Sequence, residues 1–246
     1  MRGNPCLLHL AETAPESAPA NTDMIQCATW ARDPLRATVR CWAPTGDEIQ
    51  LCGHGLLCCA NYWRHQWQSP GVLEMNGTQV HCESRDGIEW LSFPSLQTRD
   101  CDVPVWALTL LGESPARAAE AGAADGYLVL EMPPGCDPAS LQAPGEALEA
   151  QTGRSLIVTR RTSATDSLCG EDIQYRYFAP QFGVPEDTAT GSAMRVLATY
   201  WQQQGAGSTL SALQRSADGG WLTSRIDNGR TWIGGRVVED ENRETA

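Results

Sequence analysis

Apolar and polar positions alternate in short runs along most of the chain. "GVLEMNG" from Gly71, "TQVHCES" from Thr78, "IEWLSF" from Ile88, "VWALTLL" from Val105, "YLVLEM" from Tyr127 and "SLIVTRR" from Ser155 are each about one strand long. Gly, Pro, Asn and Asp punctuate them, so all six read as strands. "GWLTSRIDNGRTWIGGRVV" from Gly220 sets Asn228-Gly229 between two alternating segments, the pattern of a tight hairpin. Helical spacing is confined to about 54–67, part of 113–124, about 140–151 and 192–204. "GESPARAAEAGAADG" and "CDPASLQAPGEALEAQTG" read as surface helices or linkers. Many strands around two apolar helices predict an α+β fold.

The two apolar helices sit in similar surroundings. From Val39 the chain reads "VRCWAPTGDEIQLCGHGLLCCANYW", and from Tyr175 "YRYFAPQFGVPEDTATGSAMRVLATYW". Each has an alternating strand, Ala-Pro, a polar loop, a glycine, an apolar helix and Tyr-Trp. The glycines, Gly53 and Gly191, are 138 residues apart (191 − 53 = 138), and one two-residue insertion in the loop superimposes the stretches. A repeat of this length predicts a duplicated fold of two similar lobes. We place them at about 1–110, with the central helix about 54–67, and about 111–246, with the central helix about 192–204.

Composition narrows the chemistry. All 18 basic residues are arginine, which excludes a Schiff-base lysine, lysine-linked pyridoxal phosphate and the Walker A lysine. No GxGxxG is present, so dehydrogenase and kinase chemistry have no support. The net charge of −12 argues against nucleic acid or an anionic membrane as partner. No run approaches the ~18 apolar residues of a membrane span, and the N-terminus is too short in apolar residues for a signal peptide, so a cytoplasmic protein is expected. The ten cysteines include no CxxC pair to hold zinc or exchange disulfides, so no metal site is expected and the thiols read as reduced, buried hydrophobes.

A helix N-terminus presents backbone N–H groups and a partial positive charge, and glycines there let an anion approach. Two such termini, one per lobe, would form a cleft for a carboxylate with acid–base groups on both sides. The first lobe offers Cys52 and His54; the second offers Thr190 and Ser192 with Glu186 and Asp187 just upstream. Each has a plainer reading. Gly53-His54-Gly55 serves as a turn with a capping histidine, Ser192 as an N-cap, Glu186 and Asp187 as solvated charges and Cys52 as a buried thiol. The pairing of His in one copy with an acidic pair in the other favours function. His9, His65 and His81 have no recurrent context and read as structural.

"RGNPC", "APTGDEIQLCGHGLLCCA" and "FGVPEDTATGSAMRVLATYW" resemble the three signature blocks of the PhzF-like phenazine-biosynthesis isomerase family. That family has the diaminopimelate epimerase fold, and "WIGGRVV" matches its closing strand. The resemblance implies two pseudo-symmetric lobes, each a curved β-sheet wrapped around a central helix. It implies cofactor-free proton transfer on a small carboxylated metabolite, and a homodimer. By the same resemblance His54 and Asp187 hold substrate and move protons. Gly53, Gly55, Thr190, Gly191 and Ser192 lie at the substrate-binding helix starts, and Glu48 is the glutamate of the second block. Cys52 matches one of two catalytic thiols of true diaminopimelate-type epimerases, but its partner position is Thr190, whose hydroxyl cannot replace a thiolate.

Two departures stand out. The family has a strand before its GNP block, which here begins at Arg2. Its acid–base glutamate lies in a Ser-Glu-Thr stretch matched by Cys27-Ala28-Thr29, so Ala28 takes the glutamate's place, and "AETAPESAPANTD" replaces the preceding helix. The expected function is an isomerase or epimerase. The alternatives are a catalytically degenerate small-molecule-binding protein of the same fold and a thiol-dependent enzyme using Cys52.

Overall fold

The computed structural model describes residues 4–67 and 71–239; Arg2 and Gly3 of the first block lie outside them. The chain divides into two compact units, one within Pro5–Ser92 and Gly234–Ala246, the other within Met1–Asn4 and Phe93–Ile233. Among the described residues no helix is long and apolar enough to cross a membrane.

The first unit holds β1 (Cys6–Leu10), β2 (Ile25–Asp33), β3 (Arg36–Trp42), β4 (Glu48–Ile49), helix α1 (Gly53–Arg64), β5 (Gly71–Met75), β6 (Thr78–Arg85) and β7 (Ile88–Pro94). The strand order is β1-β2-β3-β5-β6-β7, with β4 on β3. β3 and β5 run parallel, a pairing that no tight turn can make. The chain between them forms α1, which packs on β1, β2, β3, β5 and β6. The antiparallel steps use two-residue turns. Asn76-Gly77 and Asp86-Gly87 both have positive φ, as a type I′ hairpin requires.

The second unit holds β8 (Thr98–Cys101), a short helix α2 (Ala107–Leu111), β9 (Arg117–Ala121), β10 (Tyr127–Glu131), β11 (Ser155–Arg161), β12 (Ile173–Phe178), helix α3 (Gly191–Gln203), β13 (Thr209–Gln214), β14 (Gly220–Asp227) and β15 (Arg230–Gly235). They follow the order β8-β9-β10-β11-β12-β13-β14-β15. β12 and β13 are parallel, and α3 lies in their crossover. Asn228 and Gly229, both at positive φ, make the expected hairpin of β14 and β15. The apolar face of α3 is buried from Ala193 to Trp201 apart from Arg195.

The repeat extends to individual contacts. The Trp63 indole N–H donates to Thr29 Oγ1 on β2 at 2.9 Å, and that of Trp201 to Thr159 Oγ1 on β11 at 3.2 Å. Tyr62 meets Trp63 edge-on at 5.2 Å, and Tyr200 meets Trp201 edge-on at 5.3 Å. Arg40 lies over Trp42 and binds both carboxylate oxygens of Glu48. Arg176 lies over Phe178 and binds both oxygens of Glu186, at 2.7 and 2.8 Å. In each unit this clasp ties the loop before the central helix to the strand that feeds it. Glu48 and Glu186 are therefore engaged in the same structural pair.

Several expectations are corrected. The division falls at Ser92 rather than near residue 110, because β8 pairs with β9 and joins the second unit. "VWALTLL" ends in helix α2, not a strand. Ala107 N–H reaches the Pro104 carbonyl, and Gly112, left-handed at φ 77°, closes the turn onto Leu108. Conversely, Arg117–Ala121 is strand β9 between β8 and β10; pairing overrides the helix propensity of its alanines. The stretch about 140–151 holds no α-helix, only 3₁₀ turns at Pro138–Ser140 and Gly145–Leu148, interrupted by Pro144.

The two clasps differ in burial: Arg176 is 9% exposed and Arg40 26%. Glu186→Gln leaves a nearly buried guanidinium without its counter-charge, and should lower the unfolding free energy by about 2 kcal/mol or more. Glu48→Gln should cost about 1 kcal/mol or less. Urea midpoints at neutral pH test both. The Arg40 bond holds the Glu48 carboxyl below its ordinary value. Its contribution is present above the unfolded pKa and is lost as pH falls through the folded one, so the gap between wild type and Glu48→Gln should close in acid.

Candidate functional site

Each central helix begins after an extended residue that gives no side-chain cap. Cys52 precedes α1 at φ −119°, ψ 100°, and Thr190 precedes α3 at φ −108°, ψ 101°. Neither first turn holds an acidic residue, so the chain does not neutralise the positive end of either helix there. Ser192 is the second residue of α3 and exposed, with Thr190 in the capping position, so the N-cap reading of Ser192 does not hold.

At the start of α3, Asp187 is fixed by three donors to its carboxylate. They are Asn4 Nδ2 at 3.0 Å, the Thr188 N–H at 2.8 Å and Thr190 Oγ1 at 2.6 Å. Gln214 on β13 accepts from the Thr190 N–H at 2.7 Å and donates to the Asp187 carbonyl and to Thr190 Oγ1. Beneath them the buried Tyr175 hydroxyl donates to the Thr190 carbonyl. Burial first, and the charge of Asp187 next, push its pKa well above the ordinary value, so it remains a donor. Asp187 thus has its acceptor geometry set by Asn4, Thr188 and Thr190.

At the start of α1 the surroundings are sulfur. Cys52 Sγ lies 3.6 Å from His54 Nδ1. The sulfurs of Cys27 on β2, Cys41 on β3 and Cys52 all lie within 4.8 Å of one another. All three residues are at most 5% exposed. Hydrogen bonds from Cys27 and Cys41, with His54 beside it, hold the Cys52 thiol well below its ordinary value. Gly55 makes this convergence fit: a Cβ there would stand 2.2 Å from Cys27 Sγ, 2.9 Å from Cys41 Sγ and 3.2 Å from Cys52 Sγ.

Ala28 is not at this helix start. It is the cross-strand partner of Arg40, whose guanidinium holds Glu48 and the Pro15 carbonyl. Alternation therefore puts Ala28 on the sheet face away from α1. Cys27, paired with Cys41, is the residue of that stretch that faces the helix, and a glutamate at position 28 would point to the wrong side. The segment expected to replace the family's helix has no helix, and Gln26 pins it by both backbone groups of Ala20.

Residues 28–238 match the family described as phenazine biosynthesis-like protein, PhzC-PhzF. The chain belongs to this family. An uncharacterized isomerase of Pseudomonas aeruginosa is 29% identical over 96% of this chain and 90% of its own length. The crystal structure of a PhzF-family phenazine biosynthesis protein from Enterococcus faecalis superimposes with a TM-score of 0.81 at 24% identity, over 96% of this chain and 90% of that one. A hydroxyproline epimerase from Agrobacterium vitis, solved with bound trans-4-hydroxy-L-proline, shares the fold with a TM-score of 0.50 at 15% identity, over 87% and 72% of the two chains.

In this PhzF-family chain the structure brings Cys52, Gly53, His54 and Gly55 together at α1, and Asp187, Thr190, Gly191 and Ser192 together at α3. It removes Glu48 to the Arg40 clasp. Sequence reasoning missed Cys27 and Cys41, which strand alternation with Thr29 and Val39 would have placed on the helix side. It quoted Asn4 only as part of a block, and Gln214 carries no local signal.

The two helix-start glycines make opposite demands. Gly55→Ala must displace Cys27 Sγ, and should cost about 1–3 kcal/mol by overpacking. Gly191→Ala meets only the Ile233 methyl, at 3.8 Å, and should leave stability within about 1 kcal/mol or raise it. Thermal unfolding of the two variants checks the contrast.

Proposed function

We infer that this PhzF-family chain is a cofactor-independent isomerase, epimerase-like in chemistry, acting on a small carboxylated metabolite. The observation that carries the reading is the pair of uncapped helix starts on one repeated scaffold, one carrying Cys52 and His54 and the other Asp187 held by Asn4 and Thr190. The isomerase name of the Pseudomonas aeruginosa relative and the carboxylated ligand of the hydroxyproline epimerase support the same class.

In this mechanism each helix start offers its free N–H groups, at Gly53 and Gly55 on α1 and at Gly191 and Ser192 on α3, to a carboxylate and to the negative charge that develops beside it. A base removes the proton from the adjacent carbon, the electron pair delocalises toward the carboxylate or an adjoining double bond, and an acid returns a proton. His54 and Asp187 handle these protons, with Cys52 as a third group able to do so. Proton transfer of this kind contributes typically ~10²–10⁴-fold.

One observation favours a second reading, a binding protein of the same fold. The first turn of α1 has no carboxylate, and the strand residues whose sulfurs lie beside Cys52 are the thiols Cys27 and Cys41.

Deuterium wash-in from heavy water, followed by mass spectrometry over a panel of small chiral carboxylates including hydroxyprolines, separates the two. The isomerase reading expects exchange at one carbon, falling ~10²-fold or more in Asp187→Asn and in His54→Gln. Saturable binding of a carboxylate without exchange would establish the binding protein instead. Exchange lost in Cys52→Ser but retained in Asp187→Asn would move the chemistry to the thiol.

A further inference from the structure

Ten cysteines without a CxxC pair gave no metal pattern in the sequence, yet six of them, Cys6, Cys27, Cys41, Cys52, Cys58 and Cys59, lie on β1, β2, β3 and α1 or at its cap. We propose that Cys27, Cys41 and Cys52, with His54 at their edge, form a binding site for a soft closed-shell cation, Cu(I) or Zn(II).

Distances carry the proposal. Three sulfurs within 4.8 Å of one another have a common centre no more than about 2.8 Å from each, and a metal–thiolate bond is about 2.3 Å, so each sulfur moves inward by about 0.5 Å or less. The Cys52 Sγ to His54 Nδ1 separation is 3.6 Å. Bonds of about 2.3 and 2.05 Å meeting at a tetrahedral angle put sulfur and nitrogen about 3.6 Å apart. The fourth corner of a Cys₃His site is therefore already at the right separation from Cys52.

The scaffold suits a soft ion. Cys27 and Cys41 are cross-strand partners on adjacent strands, and Cys52 is held at the helix cap, so the donors sit on rigid elements. Thiolate ligands favour Cu(I) and Zn(II) over hard cations, and the nearby helix N-terminus offsets part of their negative charge. With no side chain at Gly55, the three sulfurs converge on the place where a Cβ would stand. Cys6, half-buried and 3.5 Å from Cys27 Sγ, adds a further thiol within reach of the cluster. Each thiol that binds releases its proton to solvent, and the ion's oxidation state does not change.

This proposal shares Cys52 and His54 with the isomerase reading, but it is tested apart from it, because its readout is binding and not turnover. Full-length reduced protein is titrated anaerobically with Zn(II) and, separately, with Cu(I), each against a chromophoric chelator, with bound metal counted by mass spectrometry. One equivalent of ion should bind, and affinity should fall ~10²-fold or more in Cys27→Ser, Cys41→Ser and Cys52→Ser. Cys101→Ser and Cys169→Ser, which alter thiols on the other unit, should bind as wild type does. His54→Gln separates the ions: Zn(II) loses its fourth ligand and weakens, whereas a trigonal Cu(I) site keeps its three sulfurs. Near-ultraviolet circular dichroism of the metal-free variants identifies those that keep the native fold, and Gly55→Ala provides a second perturbation of the same sulfurs. Substoichiometric binding of both ions, or equal affinity in wild type and folded Cys27→Ser and Cys52→Ser, would overturn the proposal.

Discussion

Two neighbouring parallel strands cannot be closed by a turn, and the rest of this molecule follows from that restriction. β3 and β5, like β12 and β13, are parallel, so each pair needs a crossover long enough to hold a helix. That helix must begin soon after the strand ends and lie across the sheet. The tryptophans reaching Thr29 and Thr159 pin its far end, and the arginine clasps pin the loop before its near end. Between these two anchors the first turn of each helix is held in place without side-chain caps. The backbone N–H groups of that turn are consequently fixed in place without a side chain over them.

The same scaffold carries different side chains at its two helix starts. In the second unit the helix start is a hydrogen-bonded network in which Gln214, Thr190 and Asn4 orient a carboxylate. In the first, equivalent places hold thiols, packed so closely around Gly55 that a methyl group would not fit. Oxygen donors and acceptors fix one charge in one orientation. Sulfur is larger and softer, with weaker hydrogen bonds, and can accommodate a proton or a cation in similar positions.

Much of this was legible in the sequence because it is local. Gly53-His54-Gly55 and Thr190-Gly191-Ser192 announce helix starts, the Asn228-Gly229 pair announces a hairpin, and the offset of 138 residues announces the repeat. Errors arose where a neighbour decides. "VWALTLL" has a pattern common to a buried strand and a short helix, and Pro104 with Gly112 selects the helix. Arg117–Ala121 is rich in alanine but is a strand because β8 and β10 flank it. The motif match at Cys27-Ala28-Thr29 was one position out of phase with the sheet, and a one-residue slip in a strand exchanges its two faces. Asn4 and Gln214 are distant in sequence from Asp187, so only the folded chain brings them to it.

The strands that feed the central helices divide their duties by face. Arg40 and Arg176, on the side away from the helix, hold the loop; Cys41 and Tyr175, on the helix side, line the helix start. Successive side chains project oppositely, so one surface can change without disturbing the other. Such a layout lets two copies of one unit diverge: the side chains at the helix start can change while the fastening stays intact. Divergence between the halves therefore requires no intermediate with a collapsed loop, which makes this architecture permissive of innovation.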